Sequence, residues 1–220
     1  MNWAEAGFEI LGTKVLWTDL IGNLAALSTV LLAIRKSIWT WPVQFAGSIL
    51  LLVASISAHI TGNALKQVMF AALAVYGWWR WSRGTQNGQD LPVRPATGRE
   101  RLALAGVMVA GTALVGVLFF AAELSWGVHA PLPQGYFLVA ADAYIFVGSA
   151  VATWAQGRAL VDFWLIWIAV DLVGVPLAFS SGLVVSGTVY GIFFVLVLIG
   201  FFNWLKEYRS RTVLVPKEAV

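Results

Sequence analysis

The chain of 220 residues contains no cysteine, only two histidines and few charged side chains. The lack of cysteine excludes disulfides, thiolate metal ligands and a cysteine nucleophile. His59 and His129 are too few for a haem or di-metal membrane enzyme, and neither an HExxH nor a GxSxG pattern occurs. Charged residues make up 11% of the chain, whereas a soluble domain carries about 25%. The sequence therefore predicts a protein that is not an enzyme, has no metal or cofactor and is not a soluble domain.

Apolar residues are in excess, at 60% of the chain, together with 12 tryptophans and a mean hydropathy of +0.80. Because a bilayer core requires about 20 apolar residues per helix, seven segments are long enough to cross it. They span residues 18–34, 42–60, 64–81, 102–122, 138–156, 161–179 and 184–205. Unpaired backbone amides are costly in lipid, and these segments are too long for the strands of a barrel. We therefore predict an all-α integral membrane protein with seven transmembrane helices.

The positions of lysine and arginine predict how these helices are oriented. Twelve of the 14 cations fall on one side of a seven-helix topology, and only Lys14 and Lys66 fall on the other. Since cytoplasmic loops carry the excess of cations, residues 1–17 should be extracellular, and the linker at residues 82–101 and the tail at residues 206–220 should be cytoplasmic. Glu5 and Glu9 and the lack of a basic n-region argue against a cleaved signal peptide. We expect a multi-pass protein of the plasma (inner) membrane, whose pI of 9.4 reflects orientation and not nucleic-acid binding.

The chain also repeats itself. A shift of 123 residues, without a gap, superimposes six pairs of unusual residues. These are Asp19 with Asp142, Arg35 with Arg158, Trp41 with Trp164, Gly77 with Gly200, Trp81 with Trp204, and Arg83 with Lys206. Residues 18–81 and 138–205 are then two parallel three-helix repeats, joined by a linker helix at residues 102–122 in a 3+1+3 arrangement. Parallel repeats are typical of alternating-access carriers, which bind substrate between the halves; the alternative is a duplication that only makes a stable bundle.

One face of the predicted sixth helix carries the clearest candidate site. Trp164, Trp167 and Asp171 are spaced i, i+3 and i+7, so they share one side of a helix. An intramembrane carboxylate costs about 2.5 to 3.5 kcal/mol on insertion scales, so Asp171 should face a polar cavity or a partner. The alternative is a hydrogen bond to a Ser or Thr on a neighbouring helix. Tryptophans near helix ends are commonly interfacial anchors, which is the role we predict for Trp39, Trp81 and Trp204.

Other polar and aromatic residues fall at membrane depth in the same topology. The repeat pairs Ser48 with Asp171 and Gln67 with Tyr190, so each pair should lie at equivalent depth. Neutral hydrogen-bonding groups among flat aromatic faces favour an uncharged ligand with a planar ring and hydroxyls, because an anion would require buried arginines. The candidate substrate-binding residues are Asn23, Trp41, Gln44, Gln67, Tyr76, Tyr144, Trp164, Trp167, Asp171 and Tyr190.

Two motifs resemble the PnuC family of vitamin transporters. They are Gln67 followed by residues 76–81 (YGWWRW), and residues 163–167 (FWLIW) with a polar residue four positions on. The similarity covers essentially the whole chain. It implies a homotrimer of seven-helix protomers in the bilayer, with a fold like that of the SWEET sugar carriers. It also implies facilitated diffusion of an unphosphorylated vitamin, which a cytoplasmic kinase then traps.

Departures from the family pattern bear on the substrate. Nicotinamide riboside carriers of the family show Asn-Ile-Tyr-Gly-Trp where this chain has Ala74 and Val75 before Tyr76, and they carry asparagine in place of Asp171. Residues 1–3 (MNW) and 37–44 (SIWTWPVQ) also resemble the riboflavin branch, RibM or PnuX. The resemblance therefore implies riboflavin as substrate, with Trp41 and Trp167 stacking on its ring and Asp171 accepting hydrogen bonds from the ribityl hydroxyls or the ring imide.

Several alternatives stay open at this point. Nicotinamide riboside is the second substrate, thiamine is a third, and a channel or an assembly scaffold would share the same hydropathy. The chain has no nucleotide-binding motif and no buried cation–carboxylate network, so facilitated diffusion is expected; proton coupling through Asp171 is the alternative. Saturable, competable uptake would separate a carrier from a channel.

Overall fold

A computed structural model of the protein describes residues 6–10, 13–57, 61–84, 93–180 and 184–214. In these ranges the chain forms seven α-helices, preceded by an antiparallel hairpin of β1 (Gly7–Ile10) and β2 (Thr13–Leu16). The helices are α1 (Trp17–Ile34), α2 (Thr40–Ser57), α3 (Thr61–Gly84), α4 (Gly98–Ala121), α5 (Gln134–Gly157), α6 (Asp162–Ser180) and α7 (Val184–Leu214). Residues 1–5, linker residues 85–92, tail residues 215–220 and His59, which the sequence analysis also discussed, lie outside the described residues.

The all-α prediction is confirmed, since each predicted segment coincides with one helix. Five helices in the described ranges are long and apolar enough to cross a membrane: α1, α2, α4, α5 and Thr188–Ser210 of α7. The largest boundary difference is at α7, which ends nine residues after the predicted segment, and α4 and α5 each begin four residues before theirs. At α4 the cause is a capping box, in which Glu100 N donates to Thr97 Oγ1 at 3.3 Å and Thr97 N donates to Glu100 Oε2 at 2.9 Å. The hairpin was not predicted.

Helix packing follows the duplication in the sequence. In the first half α1 packs on α2 and α2 on α3, and in the second half α5 packs on α6 and α6 on α7. The most extensive contacts between the halves in the described residues are those of α1 with α7 and of α3 with α5. Because the shift of 123 residues relates α1 to α5 and α3 to α7, these two seams are the same contact made twice. Helix α4 packs on α5 and leaves most of its apolar surface exposed.

Helix limits and loop conformations repeat at the same interval. The ends of α1 and α5, at Ile34 and Gly157, are separated by 123 residues. The loops that follow α1 and α5 each contain a left-handed residue, Lys36 with φ of 54° and Ala159 with φ of 55°. A side chain other than glycine rarely adopts this conformation, so both loops make the same unusual bend.

The odd-numbered helices of the two halves run in one direction. Trp81 near the end of α3 contacts the last turn of α5, and Trp204 of α7 contacts the last turn of α1. Helices α2 and α6, each joined to the preceding helix by a short loop, run in the opposite direction. The helices α1, α3 and α5 all end at the same end of the bundle, which we call the basic end. It carries Arg35, Lys36, Arg80, Arg83, Arg158, Lys206 and Arg209.

The segment before α4 is fixed to the second half at the basic end. The backbone of Arg94 pairs with the loop between α5 and α6. Asp162, the first residue of α6, accepts hydrogen bonds from Ala96 N at 2.6 Å and from Arg101 Nε at 2.7 Å. The two hydrogen bonds that Arg94 donates to Glu100, each 2.7 Å, raise the pKa of the Arg94 guanidinium. This part of the predicted linker is therefore docked and not free.

Candidate functional site

Four buried tryptophans form a continuous chain of rings at the basic end. Trp41, Trp81, Trp164 and Trp204 are each at most 1% exposed. The ring centroids are 5.1 Å apart between Trp41 and Trp81, 6.5 Å between Trp81 and Trp204, and 5.9 Å between Trp204 and Trp164. We call these four residues the tryptophan chain. The prediction that Trp81 and Trp204 are interfacial anchors is therefore wrong, whereas Trp39 is exposed as an anchor requires.

Two hydrogen bonds explain why the central rings can be buried. Trp81 Nε1 donates to the carbonyl of Gln156, and Trp204 Nε1 donates to the carbonyl of Ala33, both at 3.1 Å. Each bond crosses from one half to the other. The shift of 123 residues converts Trp81 into Trp204 and Ala33 into Gln156, so the two bonds are reciprocal copies of one interaction. A buried indole N–H usually has such an acceptor, and each half supplies it to the other, whereas Trp41 Nε1 and Trp164 Nε1 have no acceptor among the described residues.

Trp41 and Trp164, both predicted to bind substrate, are the outer members of the tryptophan chain. Each packs against a helical glycine: a Cβ added at Gly77 would lie 2.3 Å from the Trp41 ring, and one added at Gly200 would lie 2.4 Å from the Trp164 ring. Glycine is needed at both positions because the ring lies directly on the helix backbone. In this arrangement protein covers both rings, so neither is available for stacking on a ligand.

A second aromatic contact lies between the halves, and it brings three predicted site residues together. Phe70 of α3 stacks on Trp167 of α6, with ring centroids 6.4 Å apart and planes inclined by 25°. Gln67 precedes Phe70 by one turn of α3, and Asp171 follows Trp167 by one turn of α6. Because α3 and α6 run in opposite directions, Gln67 and Asp171 both lie beyond the stack, on the side away from the basic end.

Both polar side chains at this level are buried. Gln67 is 4% exposed and Asp171 is 8% exposed. Asp171 Oδ2 has no hydrogen-bond partner among the described residues, so the predicted alternative of a Ser or Thr partner is not satisfied at this oxygen. An unpaired carboxyl oxygen in an apolar interior is costly, and a ligand with hydrogen-bond donors would offset that cost. We call Gln67, Phe70, Trp167 and Asp171 the interhelical site.

A hydrogen-bonded chain behind Gln67 orients its amide. Ser55 Oγ donates to the Leu51 carbonyl at 2.6 Å, Asn63 Nδ2 donates to Ser55 Oγ at 2.7 Å, and Gln67 Nε2 lies 3.5 Å from Asn63 Oδ1. Since every member donates in the same sense, the Gln67 nitrogen points toward Asn63 and its oxygen is free to accept from elsewhere. Ser55 and Asn63 were not among the predicted site residues because they lie near helix ends. The i, i+4 spacing of Asn63 and Gln67 was the available indication.

Other predicted residues are more scattered. Asn23 donates to the backbone carbonyl of Asp19 at 2.9 Å and to its carboxylate at 3.1 Å, within a single helix. Tyr190 is 38% exposed, so it differs in burial from Gln67, with which the repeat pairs it. No group of three or more metal-ligating side chains occurs in the described part of the chain. Two more predicted residues are partly buried, Gln44 and Tyr144.

The two sides of α3 differ in character. Tyr76 packs its ring against Gly157 of α5, at the seam between the halves. The exposed side of α3 has a shallow groove of about 340 Å³, where Arg83 lies 4.4 Å from the centre of the Trp79 ring. This groove is separate from the interhelical site, because its lining residues lie more than two turns further along α3 than Gln67. The lining residues are Val75, Trp78, Trp79, Ser82 and Arg83.

Known proteins are similar to this chain over nearly its whole length. The family described as nicotinamide mononucleotide transporter matches residues 16–206. The chain belongs to this family. The riboflavin/roseoflavin transporter RibM of Streptomyces davaonensis is 44% identical, over 97% of this chain and 98% of its own. The nicotinamide riboside transporter PnuC of Escherichia coli is 25% identical, over 91% of this chain and 90% of its own.

A solved structure supports the fold. The crystal structure of the vitamin B3 transporter PnuC aligns with a TM-score of 0.62 at 18% identity, covering 86% of this chain and 81% of that one. The predicted membership of the PnuC family is confirmed, and the predicted class is confirmed with it: the protein is a membrane transporter and not an enzyme.

Proposed function

We propose that the protein takes up riboflavin and close flavin analogues by facilitated diffusion with alternating access, and that a cytoplasmic kinase then traps the vitamin by phosphorylation. The observation that carries this proposal is the 44% identity, over nearly full length, to a riboflavin/roseoflavin transporter. Identity to the nicotinamide riboside transporter of E. coli is lower, at 25%. No specific observation favours thiamine.

The chemistry of the interhelical site supports a flavin. Riboflavin has a flat ring system that suits the Trp167 face, an imide N–H, and ribityl hydroxyls that can donate hydrogen bonds. The unpaired oxygen of Asp171 and the carbonyl oxygen of Gln67 are both acceptors. Gln67 on α3 and Asp171 on α6 lie at the same depth, so one ligand with several hydrogen-bond donors, bound between the halves, could donate to both oxygens.

We propose that the transporter consists of two parallel three-helix repeats joined by a linker helix. The matching ends of α1 and α5, the left-handed residues Lys36 and Ala159, and the reciprocal Trp81 and Trp204 hydrogen bonds support a twofold axis along the membrane normal that relates the halves. The cations of the basic end support a cytoplasmic location for that end and an extracellular N-terminus. A homotrimer is the assembly that family resemblance implies, and the exposed apolar surface of α4 is compatible with a neighbouring protomer or lipid.

Nicotinamide riboside is the second candidate, and one observation favours it. The comparison with E. coli PnuC supports the same substrate. The two vitamins therefore have to be separated by direct competition.

Titration of the detergent-purified protein with riboflavin tests the proposal, because flavin fluorescence is quenched when the ring stacks on indole. Asp171→Ala should weaken binding about ten- to a hundredfold, as expected for loss of a hydrogen bond to a charged group. Glu123→Ala, at an exposed carboxylate outside the predicted binding residues, is the matched control and should leave binding unchanged. Excess nicotinamide riboside should not displace riboflavin. Displacement at equal concentration, or absence of quenching, would contradict the riboflavin assignment.

A further inference from the structure

The tryptophan chain closes the bundle at the basic end. Its rings come from α2 and α3 of the first half and from α6 and α7 of the second. It lies at the ends of α1, α3 and α5, whereas the interhelical site lies deeper, beyond the Phe70–Trp167 stack. A ligand moving from the interhelical site to the basic end has to pass four rings that are at most 1% exposed. This packing leaves no room for a flat three-ring ligand, so the four rings have to move apart before such a ligand can pass.

We propose that the tryptophan chain is the gate of the carrier at its basic end, and that the Trp81–Gln156 and Trp204–Ala33 hydrogen bonds break together whenever substrate passes. This inference rests on the alternating-access mechanism proposed above. The gate residues Trp81 and Trp204 are additional to the predicted substrate-binding residues, and their role is to control access and not to contact the bound vitamin.

The acceptors of these two bonds are suited to repeated opening. The Ala33 carbonyl also accepts from Lys36 N at 3.0 Å, and the Gln156 carbonyl also accepts from Ala159 N at 2.9 Å. When an indole withdraws, each carbonyl therefore keeps one hydrogen bond. Both carbonyls also lie in the last turn of a helix, where the backbone has no further helical partner and water or capping groups normally supply one. Opening then breaks the two indole bonds, while neither acceptor carbonyl is left without a hydrogen-bond partner.

The symmetry of the contacts couples the two bonds. One bond lies at the α3–α5 seam and the other at the α1–α7 seam, and the shift of 123 residues exchanges them. A rocking of one half against the other, about an axis in the membrane plane perpendicular to the line that joins the halves, changes both seams equally. One rigid-body movement therefore opens or closes both bonds, as alternating access requires.

An ion pair distinguishes one seam from the other. Lys36, beyond the end of α1, pairs with Glu207, which lies one turn after Trp204 on α7. The repeat places Ala159 and Gly84 at the equivalent positions of the α3–α5 seam, where no such pair can form. The α1–α7 seam therefore has an additional closing interaction next to its indole bond.

Cysteine labelling tests the gate directly, because the natural chain has no cysteine to interfere. Ala74 is buried on α3, two turns before Trp81, and is a suitable reporter position behind the gate. In an Ala74→Cys background, Trp81→Phe and Trp204→Phe keep an aromatic ring but remove the N–H donor. Each should raise the rate at which a membrane-impermeant maleimide, added at the basic side of membrane vesicles, labels the cysteine. We expect an increase of about two- to tenfold, similar for both variants, because each loses one of two equivalent net hydrogen bonds.

Trp39→Phe is the matched control, since Trp39 is an exposed tryptophan at the same end, and it should leave labelling unchanged. A cluster that only stabilises the fold would respond differently from a gate. If Trp81→Phe and Trp204→Phe lower thermal stability but leave the labelling rate unchanged, the proposal is overturned. The labelling needs no substrate, so it reports on the gate even if the riboflavin assignment fails.

A cross-link provides a second test in which both tryptophans are retained. Lys36→Cys with Glu207→Cys, joined by a short bifunctional thiol reagent, would lock the α1–α7 seam. Flavin uptake should then stop and should return after reductive release of a disulfide-forming cross-linker, while riboflavin still binds in the quenching assay. Undiminished uptake by fully cross-linked protein would overturn the gate, whereas loss of riboflavin binding by the protein without cysteine substitutions would instead contradict the proposed function.

Discussion

Alanine at Gly200 should destabilise the protein by forcing a methyl group against a tryptophan that cannot move aside. The added Cβ would lie 2.4 Å from Trp164 Cη2 and 2.6 Å from Cζ2. The Trp164 ring is enclosed by Phe163, at a centroid distance of 4.3 Å, and by Trp204, at 5.9 Å. Overpacking of this kind costs about 1–3 kcal/mol. Alanine is also favoured over glycine in a helix by about 1 kcal/mol, so the net loss for Gly200→Ala is about 0–2 kcal/mol.

Gly191→Ala separates these two effects. Gly191 lies on the same helix, and no atom lies within 4 Å of its added Cβ, so this variant gains the helix preference without the clash. The difference in unfolding free energy between the two variants therefore isolates the cost of overpacking. For a chain of this length, 1 kcal/mol corresponds to about 2–4 °C in the unfolding midpoint, so the variants should differ by about 2–12 °C.

Thermal unfolding of both variants in one detergent measures this difference. Gly77→Ala should behave like Gly200→Ala, because its Cβ would lie 2.3 Å from the Trp41 ring at the equivalent place in the first half. If Gly200→Ala melts at the same temperature as Gly191→Ala, the Trp164 ring does not lie on α7, and the packing described for the tryptophan chain is refuted.

Three further variants test other contacts. Thr97→Ala should lower stability by about 0.5–2 kcal/mol through loss of the α4 cap, and Thr97→Ser should retain most of it in the same thermal assay. Asp162→Ala should cost about 1–3 kcal/mol because it leaves the buried Ala96 N–H without its acceptor, and an unchanged midpoint would show that water replaces the carboxylate. Ser55→Ala should weaken riboflavin binding by freeing the Gln67 amide to rotate, and Ser55→Thr should restore it; equal affinity in both variants would argue against an orienting role.

Hydropathy and the internal repeat predicted much of the fold, because both can be obtained from the order of residues along the chain alone. A segment of about 20 apolar residues has to be a helix in lipid, whatever it packs against. The shift of 123 residues likewise predicted which helix ends would correspond, and the loops at Lys36 and Ala159 have the same bend. The N-terminal hairpin was missed because its strands lie in a short segment without strong alternation.

The rotation of each helix about its axis could not be predicted in the same way. In an apolar helix, lipid-facing and protein-facing sides have similar composition, so hydropathy does not show which side a tryptophan occupies. Trp81 and Trp204 therefore resembled interfacial anchors, although both are buried. The duplicated glycines, Gly77 and Gly200, were the available indication, because a flat ring lying on a helix backbone needs a residue without Cβ.

The duplication itself separates two kinds of position. The tryptophan chain and its two glycines are identical between the halves, as contacts that are made twice about one axis require. The interhelical site is built from unlike pairs: the repeat matches Asp171 with Ser48, Gln67 with Tyr190, and Trp167 with Gln44. A vitamin has no twofold symmetry, so a molecule bound near the axis has to meet different groups from each half. Specificity for the vitamin should therefore lie at the positions where the two halves carry different residues. The positions where both halves carry the same residue form the contacts between the halves.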